Sequence, residues 1–471
     1  MTSKQTKIIC TLATNRCEPD FIRQLADAGM NVVRMNTAHM TPEEADGLLA
    51  NIRSVSDRIG ILIDTKGPEV RTRDLEHPLT VKTGDTVTIS SEKTDELSFQ
   101  VSYEHFTEEI TKDALILIDD GDIGLQVTDR EPGRLICTVL NDGVIKNKKS
   151  LNVPGAHLHL PSLTEKDEEF IDWAIRNDID FIAHSFVRDQ DDVLAIQKRL
   201  NLQNSPIKII AKIENREGVE NLESILNVAY GVMVARGDLG IEIPAEEVPG
   251  IQKQMIRTCI RRKKPVITAT QMLHSMIENP RPTRAEVSDV ANAILDGTDA
   301  IMLSGETAYG KFPLEAVQTM AAIAHTAEHQ KEPLLTSLPV HEQRAAVMPR
   351  NHLAKAAVFA AAQLPVKAII TTTRSGETPR ICASYRGCTP IFALSESMRT
   401  VRELSLSYGV YASKINMPQT TDELVKVSLN RLLAEKRIER NDLVVIMGGG
   451  YIYSRHTNFM QIDTAATLLH Q

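Results

Sequence analysis

Eight short runs of β-branched and other apolar residues, most of them separated by helix-like stretches, constrain this 471-residue chain more than any other feature. They are TKIICT (6–11), NVVRMN (31–36), GILIDT (60–65), DFIAHSF (180–186), KIIAKI (208–213), GVMVARG (231–237), PVITAT (265–270) and DAIMLSG (299–305). Between them lie amphipathic patterns such as EPDFIRQLADAG (18–29) and PEEADGLLANIRSV (42–55). Strands alternating with helices in this way are the mark of a parallel sheet built from βα units. Eight such units predict a (β/α)8 TIM barrel. An open doubly wound sheet has a similar period, and the pattern by itself leaves both open.

One interval breaks the rhythm. More than a hundred residues separate the third run from the fourth, and within them PLTVKTGDTVTISS, LSFQVSYEHF, ALILIDDGDIGLQVTD and GRLICTVLND alternate apolar with polar residues between Gly/Asp turns. This predicts a small inserted β domain over residues 70–161, leaving from the face where barrel active sites lie and suited to act as a lid. The barrel then comprises 1–69 and 162–335. A polar, proline-bearing segment, KEPLLTSLPVHEQRAA (331–346), marks the next boundary. Beyond it KAIITTT (367–373), TPIFALS (389–395), GVYAS (409–413) and DLVVIMG (442–448) alternate with helical patterns, predicting an open α/β domain over 336–471.

Composition narrows the function. Lys and Arg total 53 against 62 Asp and Glu, a net charge of −9, which argues against a general nucleic-acid or membrane-surface binder. No apolar run approaches a membrane span, and the N-terminal MTSKQTKIICTLAT lacks a signal pattern. Six cysteines without a CxxC fit a reducing compartment, so a cytoplasmic location is expected.

In a barrel, polar residues at the C-terminal strand ends meet at one mouth. Here those ends carry Arg34 and Asn36; Asp64, Thr65 and Lys66; Ser185 and Arg188; Lys212 and Glu214; Arg236 and Asp238; Thr270 and Gln271; Ser304 and Glu306. Glu214 and Asp238 offer hard oxygen ligands to Mg²⁺ or Mn²⁺, and the absence of His and Cys from the ring argues against zinc. Arg34, Lys66, Arg71 and Lys212 supply positive charge toward phosphoryl oxygens. The turn at Gly237 could offer N–H groups to a carboxylate. The set points to phosphoryl transfer or enolate chemistry. A barrel lyase acting on an enolpyruvate-like substrate would use the same two carboxylates. A metabolite-sensing protein that had lost turnover is the non-enzymatic alternative.

IIAKIENREGV (209–219), VMVARGDLGIEIP (232–244), DTKGPEVRT (64–72) and the stretch from VITATQMLHSM to SGETAYGKFP (266–313) closely resemble the signature segments of the pyruvate kinase family. The resemblance extends over essentially the whole chain, including NVPGAHLHLPSLTEKD (152–167). It implies a TIM barrel with an inserted small β-barrel lid and a C-terminal regulatory α/β domain. It also implies transfer of phosphoryl from phosphoenolpyruvate to ADP, giving pyruvate and ATP through an enolate that Mg²⁺ stabilises, in a cytoplasmic homotetramer.

Residue by residue, the resemblance implies that Lys212 neutralises the phosphoryl group in flight and that Arg34 contacts its oxygens. Glu214 and Asp238 would hold Mg²⁺, and the backbone of Ala235, Arg236, Gly237 and Asp238 would receive the substrate carboxylate. Thr270 would join the relay that protonates the enolate carbon. Asn36, His39, Arg71 and Lys149 would lie on the nucleotide side. Asn36, Asp64 and Thr65 match K⁺ ligands, and Glu69 matches the K⁺-dependent type. Ala38 stands where the family carries a ligand serine, so a lowered K⁺ affinity is expected. Tyr309 replaces a lysine on the nucleotide side, and CTLAT replaces the usual end of the first strand.

In the last domain TTRSGETPR (372–380) resembles a loop that cradles an effector's phosphate, with Thr373, Ser375 and Thr378 as donors and Glu377 as a repelling charge. GGGYIYSRHTN (448–458), with Arg455, would close over it. An ordinary strand–helix turn explains the same residues. His157 and His159 read as alternation on an extended segment, Cys382 and Cys388 as unpaired thiols, and Trp173 as helix packing.

Overall fold

The structure, a computed structural model, describes residues 4–90, 97–330, 348–418, 420–449 and 457–470. The expected boundary at 331–346 and most of the glycine segment near 450 therefore lie outside the described residues.

The chain opens with β1 (Lys7–Leu12), β2 (Val32–Asn36) and β3 (Gly60–Asp64). Nine short strands follow: β4 (Val70–Arg73), β5 (Leu79–Val81), β6 (Thr86–Ser90), β7 (Ser98–Val101), β8 (Leu115–Ile118), β9 (Ile123–Glu131), β10 (Arg134–Val139), β11 (Gly143–Ile145) and β12 (Ser150–Asn152). The first set resumes with β13 (Phe181–His184), β14 (Lys208–Ile213), β15 (Gly231–Ala235), β16 (Val266–Ala269) and β17 (Ala300–Leu303). The last domain has β18 (Val366–Thr372), β19 (Ile391–Ser395), β20 (Val410–Lys414), β21 (Leu443–Gly448) and β22 (Phe459–Thr464).

β1 pairs in parallel with both β2 and β17, so the eight parallel strands close into a barrel. That closure excludes the doubly wound sheet. Each of the eight apolar runs falls on a barrel strand, because these strands bury both faces. Ile9, Val32, Leu62, Phe181, Ile210 and Met233 pack inside the barrel. Ile8, Val33, Ile61, Ile182 and Ile209 pack outward under the helices. The first two helices start where chemistry favours them. Pro19 opens Pro19–Ala28, which ends at Gly29 with φ +126°, and Thr41 and Glu44 form a capping box before Pro42–Val55.

The inserted segment forms a second closed barrel of seven strands around its own core, which includes Val87, Ile89, Phe99, Ile116, Leu125 and Leu135. Its pairings are antiparallel except for β6 beside β7, which run parallel. The last domain is a five-stranded sheet in the order β20-β19-β18-β21-β22. Only β22 is antiparallel. That edge strand has no counterpart among the runs expected from the sequence, because its residues are mostly half-buried and carry too little apolar alternation to register.

The last domain grips the barrel at its bottom, opposite the mouth. Arg402 Nε lies 2.6 Å from Asp180, which precedes β13, and Arg386 lies 2.6 Å from Asp299, which precedes β17. Asp180 also accepts the Ile61 N–H at 2.9 Å, bracing β3. Lys7 reaches the Val410 carbonyl at 2.5 Å. Trp173 packs in the barrel's helical layer, as expected, and donates to Asp46 at 2.8 Å.

Removing one member of a buried ion pair costs more than the pair contributes, because the survivor stays desolvated. Arg402→Met leaves the Asp180 carboxylate with only Arg53 at 3.4 Å and the Ile61 N–H. We expect a loss of about 3 kcal/mol, read as a lower thermal midpoint and faster proteolysis of the last domain. An unchanged midpoint would show that Arg53 suffices.

Candidate active site

The barrel mouth gathers the polar strand ends around one ammonium group. Lys212, near the end of β14, places Nζ 2.9 Å from Glu214 Oε1, 3.0 Å from Asp64 Oδ1 and 2.8 Å from Ser185 Oγ. Arg34, on β2, grips the other oxygen of Asp64 through Nε and one terminal nitrogen, each at 2.6 Å, and reaches Thr11 Oγ1 at 3.1 Å. Burial alone would raise the proton affinity of Asp64, but Arg34 and Lys212 outweigh it and hold the carboxylate below its ordinary range. Burial likewise opposes charge on Lys212, yet Asp64 and Glu214 hold its ammonium above the ordinary lysine range. Its partners thus favour the charged form of the lysine.

Glu214 behaves differently. Burial, with Asp238 adding negative charge, pushes its carboxyl up to about 7 against the pull of Lys212. Its second oxygen accepts the Phe186 N–H at 2.6 Å. Asp238 sits in the first turn of the helix Arg236–Glu242 that follows β15. Two neighbouring carboxylates short of positive charge fit a hard divalent cation such as Mg²⁺ or Mn²⁺. Among the described residues no group of three or more His, Cys, Asp or Glu side chains could hold a metal, so substrate and water would fill the remaining positions.

Beyond β16 the backbone is strained. Thr270 has φ +65° and Gln271 φ +54°, a left-handed region that a β-branched residue rarely adopts. Arg236 holds it there, donating to Thr270 O at 2.7 Å and to Ala269 O and Gln271 O at 3.3 Å, while pairing with Asp289 at 2.7 Å. The Arg236 side chain is thus a brace beneath the site. Gly237 N donates to Thr270 Oγ1 at 2.8 Å, and Thr270 Oγ1 donates to Ala269 O at 2.7 Å. Ser304 sits at the mouth, whereas Glu306 is buried and accepts the Ser304 and Leu273 N–H groups.

Between lid and barrel lies a cavity of about 200 Å³ whose lining includes Glu69, Asn152, His157, Phe186, Arg188 and Asp238. Arg71 is held by Glu69 at 2.6 Å and Lys149 by Asp119 at 2.8 Å, all four on the lid or its entry. Asn36 caps the short turn Thr37–His39, which leaves His39 exposed. Thr65 O accepts from the Ser185 hydroxyl at 2.7 Å.

Two family models match the chain: the pyruvate kinase barrel domain over residues 3–317 and the pyruvate kinase alpha/beta domain over 351–463. The chain belongs to the pyruvate kinase family. A pyruvate kinase of Borreliella burgdorferi is 50% identical over 470 residues, covering 98% of each chain. One from Geobacillus stearothermophilus is 46% identical, covering 99% of this chain and 81% of the relative. The crystal structure of a pyruvate kinase from Cryptosporidium parvum superposes with a TM-score of 0.92 at 37% identity, covering 98% of this chain and 97% of that one. Both the overall architecture and the activity named by the sequence resemblance agree with the family.

The remaining residues singled out from the sequence occupy separate places in this pyruvate kinase fold. His157 faces Glu217 at 3.2 Å and His159 faces Glu109 at 3.1 Å, so the two rings point to different partners. Cys382 and Cys388 are free thiols. In the last domain Thr373 Oγ1 accepts the Gly376 N–H at 2.9 Å, Thr378 Oγ1 meets Thr457 Oγ1 at 2.7 Å, and Ser375 is exposed. Glu377 pairs with Arg350, a partner invisible in the local sequence. Arg455 lies outside the described residues.

His184, at the end of β13, is fully enclosed, and its Nε2 has no hydrogen-bond partner among the described residues. Burial holds its imidazole down to about 4. The folded protein therefore keeps this ring neutral, while the unfolded chain takes up a proton below about 6.5. Stability should fall as pH drops from 6.5 toward 4, by the order of 3 kcal/mol from this ring. Denaturant unfolding of the parent and of His184→Asn at pH 7, 5.5 and 4.5 checks it. The variant should lack that component of the decline, and equal declines would refute the assignment.

Proposed function

We propose that the mouth of the barrel transfers the phosphoryl group of phosphoenolpyruvate to ADP and then protonates the enolate, yielding pyruvate and ATP. The observation that carries the reading is the buried Lys212 ammonium, held between Asp64 and Glu214 beside Arg34. Phosphoryl transfer needs positioned positive charge more than covalent help. Arg34 and Lys212 supply that charge from fixed positions, and Asp64 keeps both aimed at one place. The N–H groups at the start of the Arg236–Glu242 helix suit the substrate carboxylate, that of Asp238 directly and that of Gly237 on exchanging the Thr270 hydroxyl for it. Thr270, whose hydroxyl sits between the Gly237 N–H and the Ala269 carbonyl, is placed to pass a proton to the enolate carbon.

Glu214 and Asp238 would hold Mg²⁺ or Mn²⁺, which when bound adds positive charge at the transferring oxygens. K⁺ would take oxygens of Asn36, Asp64 and Thr65. Arg71, Lys149, His39 and Asn36 would meet the nucleotide. A phosphorylated effector at Thr373, Ser375 and Thr378 would exchange the present partners of Thr373 and Thr378 for phosphate oxygens, with Arg350 offsetting Glu377. A cytoplasmic homotetramer is the assembly the family implies.

The test is pyruvate formation from phosphoenolpyruvate and ADP with Mg²⁺, beside Lys212→Met. The variant keeps length and removes the cation, so a loss of about 10³-fold or more is expected. Turnover without ADP would instead favour a lyase. A second prediction concerns Ala38, whose carbonyl accepts from Lys166 at 3.0 Å and whose side chain offers K⁺ no oxygen. Ala38→Ser should lower the K⁺ concentration for half-activation by roughly threefold or more, the scale of one neutral contact. Equal K⁺ titrations of the two proteins would remove Ala38 as the cause of weak activation.

A further inference from the structure

We propose that Ser185 is a positioning residue for phosphoryl transfer, holding the Lys212 head group aimed at the transferring group. The inference rests on the role given to Lys212 above and adds the group that acts through it. Ser185 directly follows β13 and is 2% exposed. Its hydroxyl donates to Thr65 O at 2.7 Å, with Asp64 Oδ1 at 3.2 Å, which turns a lone pair toward the lysine. Lys212 Nζ donates into that lone pair at 2.8 Å. The Ser185 N–H is tied as well, to Thr65 Oγ1 at 2.9 Å.

The backbone around Ser185 leaves it no alternative place. Phe186 follows with φ +56°, its N–H fixed on Glu214. Gly67, with φ +70°, packs so close that a Cβ there would lie 2.9 Å from the Ser185 Cβ and 2.7 Å from the Phe186 ring. One dipeptide, 185–186, therefore holds both Lys212 and Glu214.

An ammonium has three protons, and here each has one partner: Asp64, Glu214 and Ser185. Two of the bonds are charge-assisted and one is neutral. A phosphoryl oxygen can take the N–H that now faces Glu214, a carboxylate the proposed function gives to the metal, so the bond to the serine stays in place during transfer. Ser185 thus fixes the direction of the Lys212 head group in the free enzyme and keeps it through the transition state. It contributes orientation and leaves the charge to Lys212.

The experiment compares the parent, Ser185→Ala, Ser185→Cys, Lys212→Met and the double variant in steady-state kinetics, with thermal unfolding of each. Ser185→Ala should lower kcat about 10- to 100-fold while the KM for phosphoenolpyruvate moves less than about threefold, and Ser185→Cys should fall between parent and alanine. In the double variant the serine substitution should cost less than about threefold beyond Lys212→Met, because its target is gone. A further tenfold loss in the double variant, a kcat for Ser185→Ala within threefold of the parent, or losses that follow the unfolding temperature would overturn the proposal. Near-parent turnover in Lys212→Met would overturn the role of Lys212 itself, and that result is distinct from failure at the serine.

Discussion

The Lys212 ammonium, 3.0 Å from Asp64 and 2.9 Å from Glu214 with its side chain 12% exposed, sets the electrostatic terms for its surroundings. A buried charge of this kind persists only if partners replace its lost hydration. Asp64 does so twice, for Lys212 and for Arg34, and stays ionised because both cations face it. Counting Asp238, the immediate cluster then holds three carboxylates and two cations. The deficit falls on Glu214, whose carboxyl rises to about 7. An imbalance of this sign suits a cation, and under the proposed function the hard oxygen donors of Glu214 and Asp238 would take a divalent metal of the magnesium type. The unbalanced charge is therefore what makes the site receptive.

That charge cluster depends on strands whose two ends are both fixed. β13 illustrates it. At its start Asp180 is pinned by Arg402 of the last domain and braces the start of β3 through Ile61. At its end Ser185 joins β3 again through Thr65 and Asp64. Two neighbouring strands are thus cross-tied above and below a core of Leu62, Phe181 and Ala183. Close-packed interiors resist small displacements, so the side chains at the mouth inherit the positions of the strands. The last domain takes part in this order although it lies at the opposite end of the barrel.

The barrel was legible because doubly buried strands must be apolar along their length, and each of the eight runs landed on one. The lid was legible from alternation, since its strands bury one face. Less visible were features set by tertiary contact. Nothing in PVITAT announces that Thr270 turns left-handed, because a β-branched residue prefers the opposite and only Arg236 and Gly237 overrule it. Arg236 stood out in the sequence as a mouth residue, yet its side chain is consumed by Asp289 and three carbonyls. Ser185 was visible as a polar strand end, but its bond to Lys212 depends on the closeness of β13 and β14 in the folded sheet. Pairings such as Glu377 with Arg350 span elements and leave no local trace.

The basic residues expected on the nucleotide side show the same economy of charge. Arg71 rests on Glu69, and Lys149 rests on Asp119. Each cation is held in place by a carboxylate from the same small domain or its entry, and each pair is partly exposed. Pairs of this kind contribute little to stability, so exchanging a carboxylate for a polyphosphate oxygen costs little. They nevertheless keep two long side chains extended in defined directions, which lowers the ordering cost of binding. At the mouth, where charges are buried, partners fix position permanently. On the inserted domain, where they are half-exposed, partners hold position yet stay exchangeable, as the nucleotide role proposed for Arg71 and Lys149 would require. Burial decides which of the two a given ion pair does.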